Sequence, residues 1–182
     1  MTLRSIVMPN EQANQQQQLI IHTQYIKDLS FENPNSPAVY SPSDTQPEIQ
    51  ININVTANPQ EQERFFEVVL TITANATRDG AGMFVVELSY AGIVSVPEHV
   101  DAKVIHPLVM IEGPRLLFPF ARQILSEVTQ SGGFLPLNIQ PIDFVRVYQT
   151  GIGNQNSEAA PAPDTEVEKK PEKKARKKEK LN

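Results

Sequence analysis

The stretch Phe65 to Val96, FFEVVLTITANATRDGAGMFVVELSYAGIVSV, narrows the fold of this chain more than any other, because its apolar residues alternate through two runs. Phe66, Val68, Leu70, Ile72 and Ala74 share one face of the first run, and Phe84, Val86, Leu88 and Tyr90 share one face of the second. A period of two is what a half-buried strand requires. Arg78-Asp79-Gly80-Ala81-Gly82 between them supplies turn chemistry, so the stretch reads as a β-hairpin. The opposite faces carry Glu67, Thr71 and Thr73, then Val85, Glu87 and Ser89. One side of the sheet therefore seeks a core, and the other, mildly apolar and acidic, meets water.

Two further strands precede the hairpin. Leu19 to Ile26 has apolar residues on both faces, which predicts a strand buried on both sides or lying at an interface. Ile49 to Val55 alternates strictly and reads as a half-buried strand closed by the polar stretch Pro59 to Glu63. Between them, the prolines and asparagines of Lys27 to Pro37 exclude regular structure and predict a stiff crossing loop whose Phe31 and nearby Tyr40 need cover.

After Val96 the period changes. Pro97 and Glu98 open a short helix carrying Val100, Val104 and Ile105, which His106-Pro107 ends or kinks. Pro114 starts a second helix on which Leu117, Ala121, Ile124 and Val128 form one stripe, and Phe118, Phe120 and Leu125 widen it beyond what one sheet face covers. Leu117, Phe120, Ile124 and Val128 are therefore expected at a contact with a second subunit. Gly132-Gly133 caps this helix. Phe134 to Ile142 is an apolar loop held extended by Pro136 and Pro141, and Asp143 reads as the N-cap of a last short helix with Phe144, Val147 and Tyr148 inward.

Charge divides the chain. Residues 1–168 hold 8 Lys/Arg against 19 Asp/Glu, a balance of −11, whereas residues 169–182 hold 8 against 2, a balance of +6. An acidic body argues against nucleic acid as the main ligand and favours a basic partner. The absence of cysteine removes disulfides, thiolate metal sites and thiol nucleophiles, and is compatible with the cytoplasm. Residues 10–18, NEQANQQQQ, are polar where a signal peptide would be apolar. Glu112, Gly113, Pro114 and Arg115 are expected to break the most apolar stretch before it reaches the ~18 residues of a membrane span. Residues 1–17 are expected to be disordered, 18–150 to fold as one domain, and 151–182 to form a linker and a lysine-rich tail. That tail suits a solubilising end, a cation docking on the acidic sheet, or a contact with lipid or a partner.

No catalytic constellation emerges. His22, His99 and His106 lack the spacing that puts two ligands on one face, even with Glu98 or Asp101 nearby. Ser30, Ser89, Ser95 and Ser126 lack a nucleophile elbow, and no glycine-rich loop joins a strand to a helix. No metal, cofactor or enzymatic activity is expected. What stands out is apolar material in two loops, Phe31, Pro34, Pro37 and Tyr40 in one and Phe134, Leu135, Pro136, Leu137 and Ile139 in the other. Packing of the loops onto the core explains part of it. The remainder suits a groove for an extended peptide.

These residues carry a resemblance. Lys27 to Pro37 (KDLSFENPNSP), Phe66 to Leu70 (FEVVL), Phe84 to Ile93 ending in YAGI, and above all Pro114 to Arg122 (PRLLFPFAR) stand in the order seen in SecB, a family of bacterial protein-export chaperones, over roughly Ile20 to Tyr148. The resemblance implies an α+β fold, a four-stranded antiparallel sheet with helices packed on one face. It implies pairing into dimers and then a homotetramer whose helices lie between two eight-stranded sheets. It also implies ATP-independent holding of unfolded preproteins and their delivery to the SecA motor ATPase.

Matched motif by motif, the resemblance assigns the SecA contact to Asp28, Glu32, Val85 and Glu87, with Val85 in place of the family's common leucine. It assigns client binding to Phe31, Pro34, Pro37, Tyr40, Ile49, Ile51, Ile53, Phe134, Leu135, Leu137 and Ile139. Asp44-Thr45-Gln46-Pro47 departs from the pattern by lacking a tryptophan before Gln-Pro, and the lysine-rich end lies outside the pattern altogether. A rival reading is a protein-binding scaffold that uses the same acidic sheet without chaperoning.

Overall fold

A computed structural model describes residues 19–158. The chain runs through β1 (Ile20–Glu32), a 3-10 turn at Ala38–Tyr40, β2 (Glu48–Pro59), β3 (Phe65–Arg78), β4 (Ala81–Ser95), α1 (Ala102–Ser131) and α2 (Phe144–Glu158). The strands form one antiparallel sheet in the order β1-β4-β3-β2. The fold is the expected α+β arrangement: α1 lies on one face of the sheet, and α2 packs against α1.

The hairpin forms where its alternation placed it. Asp79 (φ 53°) and Gly80 (φ 78°) make the two-residue turn between Arg78 and Ala81, and left-handed backbone at both positions matches the twist of the flanking strands. Val68, Leu70, Ile72, Ala74, Val86, Leu88 and Val94 are fully buried beneath α1. On the other face the Thr71 and Ser89 hydroxyls meet at 3.0 Å, and Glu87 is exposed.

Three expectations are corrected. β1 does not end at Ile26. Lys27 to Glu32 remains in the strand, pairing with β4 as far as Val85, and regular structure stops only when Asn33-Pro34 is reached. β1 is also an edge strand with Ile20 and Ile26 53% and 48% exposed, which removes burial on both sides within the chain and leaves, of the two expected placements, the one at an interface.

The second correction concerns the helices, which are one. α1 runs unbroken for 30 residues with Pro107, Pro114 and Pro119 inside it, capped by Asp101, whose side chain accepts from the Lys103 N–H at 2.8 Å. An interior proline costs about 3 kcal/mol in isolation. Here tertiary packing offsets that cost: Pro114 is fully buried, and Gly113 lies so close to Val68 that a Cβ would come within 2.9 Å of it. By length and composition α1 is apolar enough to cross a membrane, contrary to the expected break at Glu112–Arg115, yet Val109, Leu117, Phe118, Ala121 and Leu125 are buried within the domain.

Third, α2 extends through Gly151 to Glu158, past the point where the linker was expected to begin. Its start is as read, with Asp143 Oδ1 accepting from the Val145 and Arg146 N–H groups at 3.0 and 3.3 Å. The segment 1–17 and the lysine-rich stretch from Lys169 lie outside the described residues.

Candidate functional site

The outer face of the sheet assembles the four residues assigned to a basic or motor partner. Glu32 pairs with Val85, Ser30 with Glu87, and Asp28 with Ser89. Residues directly opposite in an antiparallel pair share a face, so Asp28, Glu32, Val85 and Glu87 all project from the side away from α1. Two register shifts in β1 make this so. The one between Ile26 and Asp28 leaves Lys27 without a partner, so that Tyr25 and Asp28 face outward while Ile26, Leu29 and Phe31 face the helix side.

A polar cluster on the same face was not legible in the sequence. Glu67 of β3 accepts from Lys27 at 2.8 and 2.9 Å, from the Tyr25 hydroxyl at 2.5 Å and from Asn58 at 3.3 Å. The Lys27 ammonium, and then the Tyr25 hydroxyl, hold the Glu67 carboxyl below its usual range. The Tyr25 hydroxyl is pushed up to about 12, chiefly by its hydrogen bond to Glu67. Nothing in the alternation marks Tyr25 and Lys27 as partners of Glu67, because they meet it across the intervening strand β4, whereas Asn58 stands directly opposite Glu67 on β2.

On the helix face, the two apolar loops close on one another instead of standing apart as opposite walls of an open groove. Phe31 and Phe84 stack at 5.8 Å, and Phe134 lies 4.9 Å from Phe84, 5.4 Å from Tyr40 and 6.4 Å from Phe31. The Tyr40 hydroxyl donates to the Gly132 carbonyl at 2.7 Å and accepts from Asn33 Nδ2 at 2.6 Å. Gly132-Gly133 serves two purposes. It ends α1 in the expected cap, with Gly133 at φ 82° and the Phe134 N–H bonded to Thr129 O, and it makes room for rings. A Cβ on Gly132 would overlap the Phe31 ring, and one on Gly133 would press on Tyr40 at 3.1 Å.

The remaining assigned residues separate. Leu135 is 89% exposed, and Pro34 and Pro37 are exposed in the crossing loop, as are Ile49 and Ile51 on β2. Ile53 is half-buried and lines a groove of about 710 Å³ between β2, α1 and α2, with Val55, His106, Met110, Val147 and Tyr148. Leu137 and Ile139 do not face outward. Both are core residues, and the Leu137 N–H is tied to the buried Thr129 hydroxyl at 3.0 Å. Of the residues expected at a subunit contact, Leu117 is likewise corrected: it is fully buried in the chain's own core, against Gly92. Ile124 and Val128 are partly buried, and Phe120 is 48% exposed.

The histidines are dispersed. His22 bonds Ser95 Oγ at 2.8 Å and stacks on Phe65, His106 meets Tyr148 Oη at 3.2 Å, and His99 is exposed.

A profile of the family described as "Preprotein translocase subunit SecB" matches residues 12–155. The chain is similar to the "Protein-export protein SecB" of Rhodospirillum rubrum, 49% identical over 142 residues that cover 78% of this chain and 87% of the relative. It is similar also to that of Bartonella bacilliformis, 52% identical over 130 residues, covering 71% and 80%. Among solved structures, the Mycobacterium tuberculosis Rv1957 SecB-like chaperone, in complex with a ChAD peptide from Rv1956 HigA1 antitoxin, shares the fold with a TM-score of 0.51 at 12% identity, covering 68% of this chain and 90% of that one.

Proposed function

The chain belongs to the SecB family, and on that premise we propose that it is a cytoplasmic chaperone of protein export. It holds unfolded preproteins without consuming ATP and passes them to the SecA motor ATPase. It works as a homotetramer built from two dimers, needs no cofactor and does not itself enter the membrane. The observation that carries this reading lies at one end of the β1–β4 pair. Consecutive residues there point to opposite faces, so Phe31 and Phe84 enter the aromatic cluster while their neighbours Glu32 and Val85 stand on the acidic outer face. Exposed Leu135, which follows Phe134 of that cluster, and the acidic outer face are thus on opposite sides of one layer of sheet, the first suited to apolar clients and the second to a charged partner.

Clients of varied sequence are held by burying apolar side chains, which suits exposed Leu135, Tyr40, Ile49 and Ile51. The motor is held by charge, at Asp28, Glu32 and Glu87, with Val85 as an apolar centre. The test is refolding of an unrelated, slow-folding polypeptide: the purified protein slows it without nucleotide. Saturable binding to one folded partner, with no effect on refolding, would favour the scaffold reading instead.

A further inference from the structure

We propose that the lysine-rich segment Lys169–Lys178 of this chain docks on the outer face of its own sheet and competes there with SecA. The inference rests on the reading of that face as the motor's contact and adds a competitor that the chain itself carries. No described element packs on the outer face, whose charged side chains are Asp28, Glu32, Glu48, Glu67 and Glu87 against Lys27 alone, a balance of −4. These charges are not spread evenly. Ser30 stands opposite Glu87, which puts Asp28 and Glu32, two residues to either side of Ser30, on the diagonals of Glu87, about 7–8 Å away. Among the described residues Glu67 is neutralised by Lys27, whereas Asp28, Glu32 and Glu87 are exposed and in no ion pair. Three like charges at that spacing repel one another, and a cation brought among them relieves the repulsion.

The occupant is argued from charge and reach. Lys169 to Asn182 holds eight Lys/Arg against two Asp/Glu, a balance of +6, and its basic residues come in close groups, Lys169-Lys170, Lys173-Lys174 and Arg176-Lys177-Lys178. The ten residues Ala159 to Glu168 that join it to α2 span at most roughly 33–36 Å. α2 runs beside the edge strand β2, from which β4 is two strands on, a crossing of about 10 Å, and β1 three strands on, about 14 Å. The tether is therefore long enough to round that edge and bring the basic groups onto β4 and β1. Held at this distance, the segment meets its own face at an effective concentration on the order of 1 mM. A contact with a Kd of about 1 mM for the free peptide then fills the face half the time and halves the apparent affinity for SecA, and one of about 0.25 mM lowers it about fivefold.

The experiment uses the full chain and its truncation after Glu168. The chain has no cysteine, so Ala175→Cys gives a single site for a nitroxide label. At low salt the label is expected to broaden the methyl NMR resonances of Val85, which stands opposite Glu32 on the outer face, and 1 M salt, where the screening length is about 3 Å, to restore them. Combining Asp28→Asn, Glu32→Gln and Glu87→Gln, all at exposed positions, is expected to abolish the broadening. Truncation is expected to tighten SecA binding about two- to fivefold at low salt, and the two forms should be equal at 1 M. Sharp Val85 resonances at low salt overturn the proposal, as does broadening that persists in the triple variant. So does weaker SecA binding after truncation, which makes the tail a second contact for the motor. Capture of the full but not the truncated chain by anionic lipid vesicles, with Val85 unbroadened, assigns the tail to the membrane and overturns it likewise. Broadening as expected, with SecA bound by neither form, would instead remove the motor contact from the proposed function and leave the docking in place.

Discussion

Lys27 and Glu67 meet at 2.8 Å across the intervening strand β4. Lys27 is the residue left without a partner where the register of β1 shifts, and Glu67 holds it on the outer face together with Tyr25. The ion pair therefore braces the bulge after which Asp28 and Glu32 emerge beside Glu87.

Tyr25 is the reporter of this brace. Of the four tyrosines it is expected to ionise late, near 12, and Glu67→Gln should move its midpoint down, as read by absorbance titration. The two groups act in opposite pH windows. Tyr25, raised in the folded state, contributes stability that is present below the unfolded value and lost as pH climbs through about 12. Glu67, lowered, contributes stability present above the unfolded value and lost as pH falls through the folded one. Lys27 is nearly half exposed, so the pair adds no more than about 1 kcal/mol at neutral pH, and less in high salt.

Gly132→Ala should destabilise the domain more than its cap role implies. The added methyl overlaps the Phe31 ring, and forcing extra volume into a packed site costs about 1–3 kcal/mol. Urea unfolding should show a lowered midpoint, with partial recovery when Phe31→Leu opens the space. A midpoint equal to that of the unaltered protein would contradict the packing of these two loops.

Core and association should separate along α1. Leu117→Ala removes a fully buried side chain and is expected to cost 2–5 kcal/mol, about the range for buried leucines. Phe120→Asp changes a residue 48% exposed in the protomer, so the fold should persist while the assembled mass falls by light scattering. Unchanged mass would remove Phe120 from the subunit contact.

Charge and apolar burial should likewise separate in binding. Glu87→Lys is expected to weaken SecA binding and spare unfolded clients. Raising salt to 1 M, where the screening length is about 3 Å, should weaken the first and leave the second largely intact. A parallel fall of both affinities in a titration would refute the division of surfaces.

The sequence by itself determined what depends on neighbours along the chain. Alternation in Phe66 to Tyr90 defined a hairpin because side chains in a strand point to opposite faces every second residue, and Asp79-Gly80 defined its turn because few residues adopt left-handed backbone. Asp143 and Gly132-Gly133 marked helix ends for equally local reasons. Tertiary structure decided what depends on distant partners. Pro107 and Pro114 could be read as breaks, since local propensity sees only the lost hydrogen bond, whereas the close approach of Gly113 to Val68 and the burial of Pro114 keep α1 whole. The extension of β1 through Glu32 required β4 to offer a paired edge, and the burial of Leu117, Leu137 and Ile139 required knowing which face of each element meets the sheet. The meeting of Tyr25 and Lys27 with Glu67, and of Tyr40 with Gly132, joins residues dozens of positions apart, and periodicity carries no signal for a contact that only the folding of two segments onto each other creates.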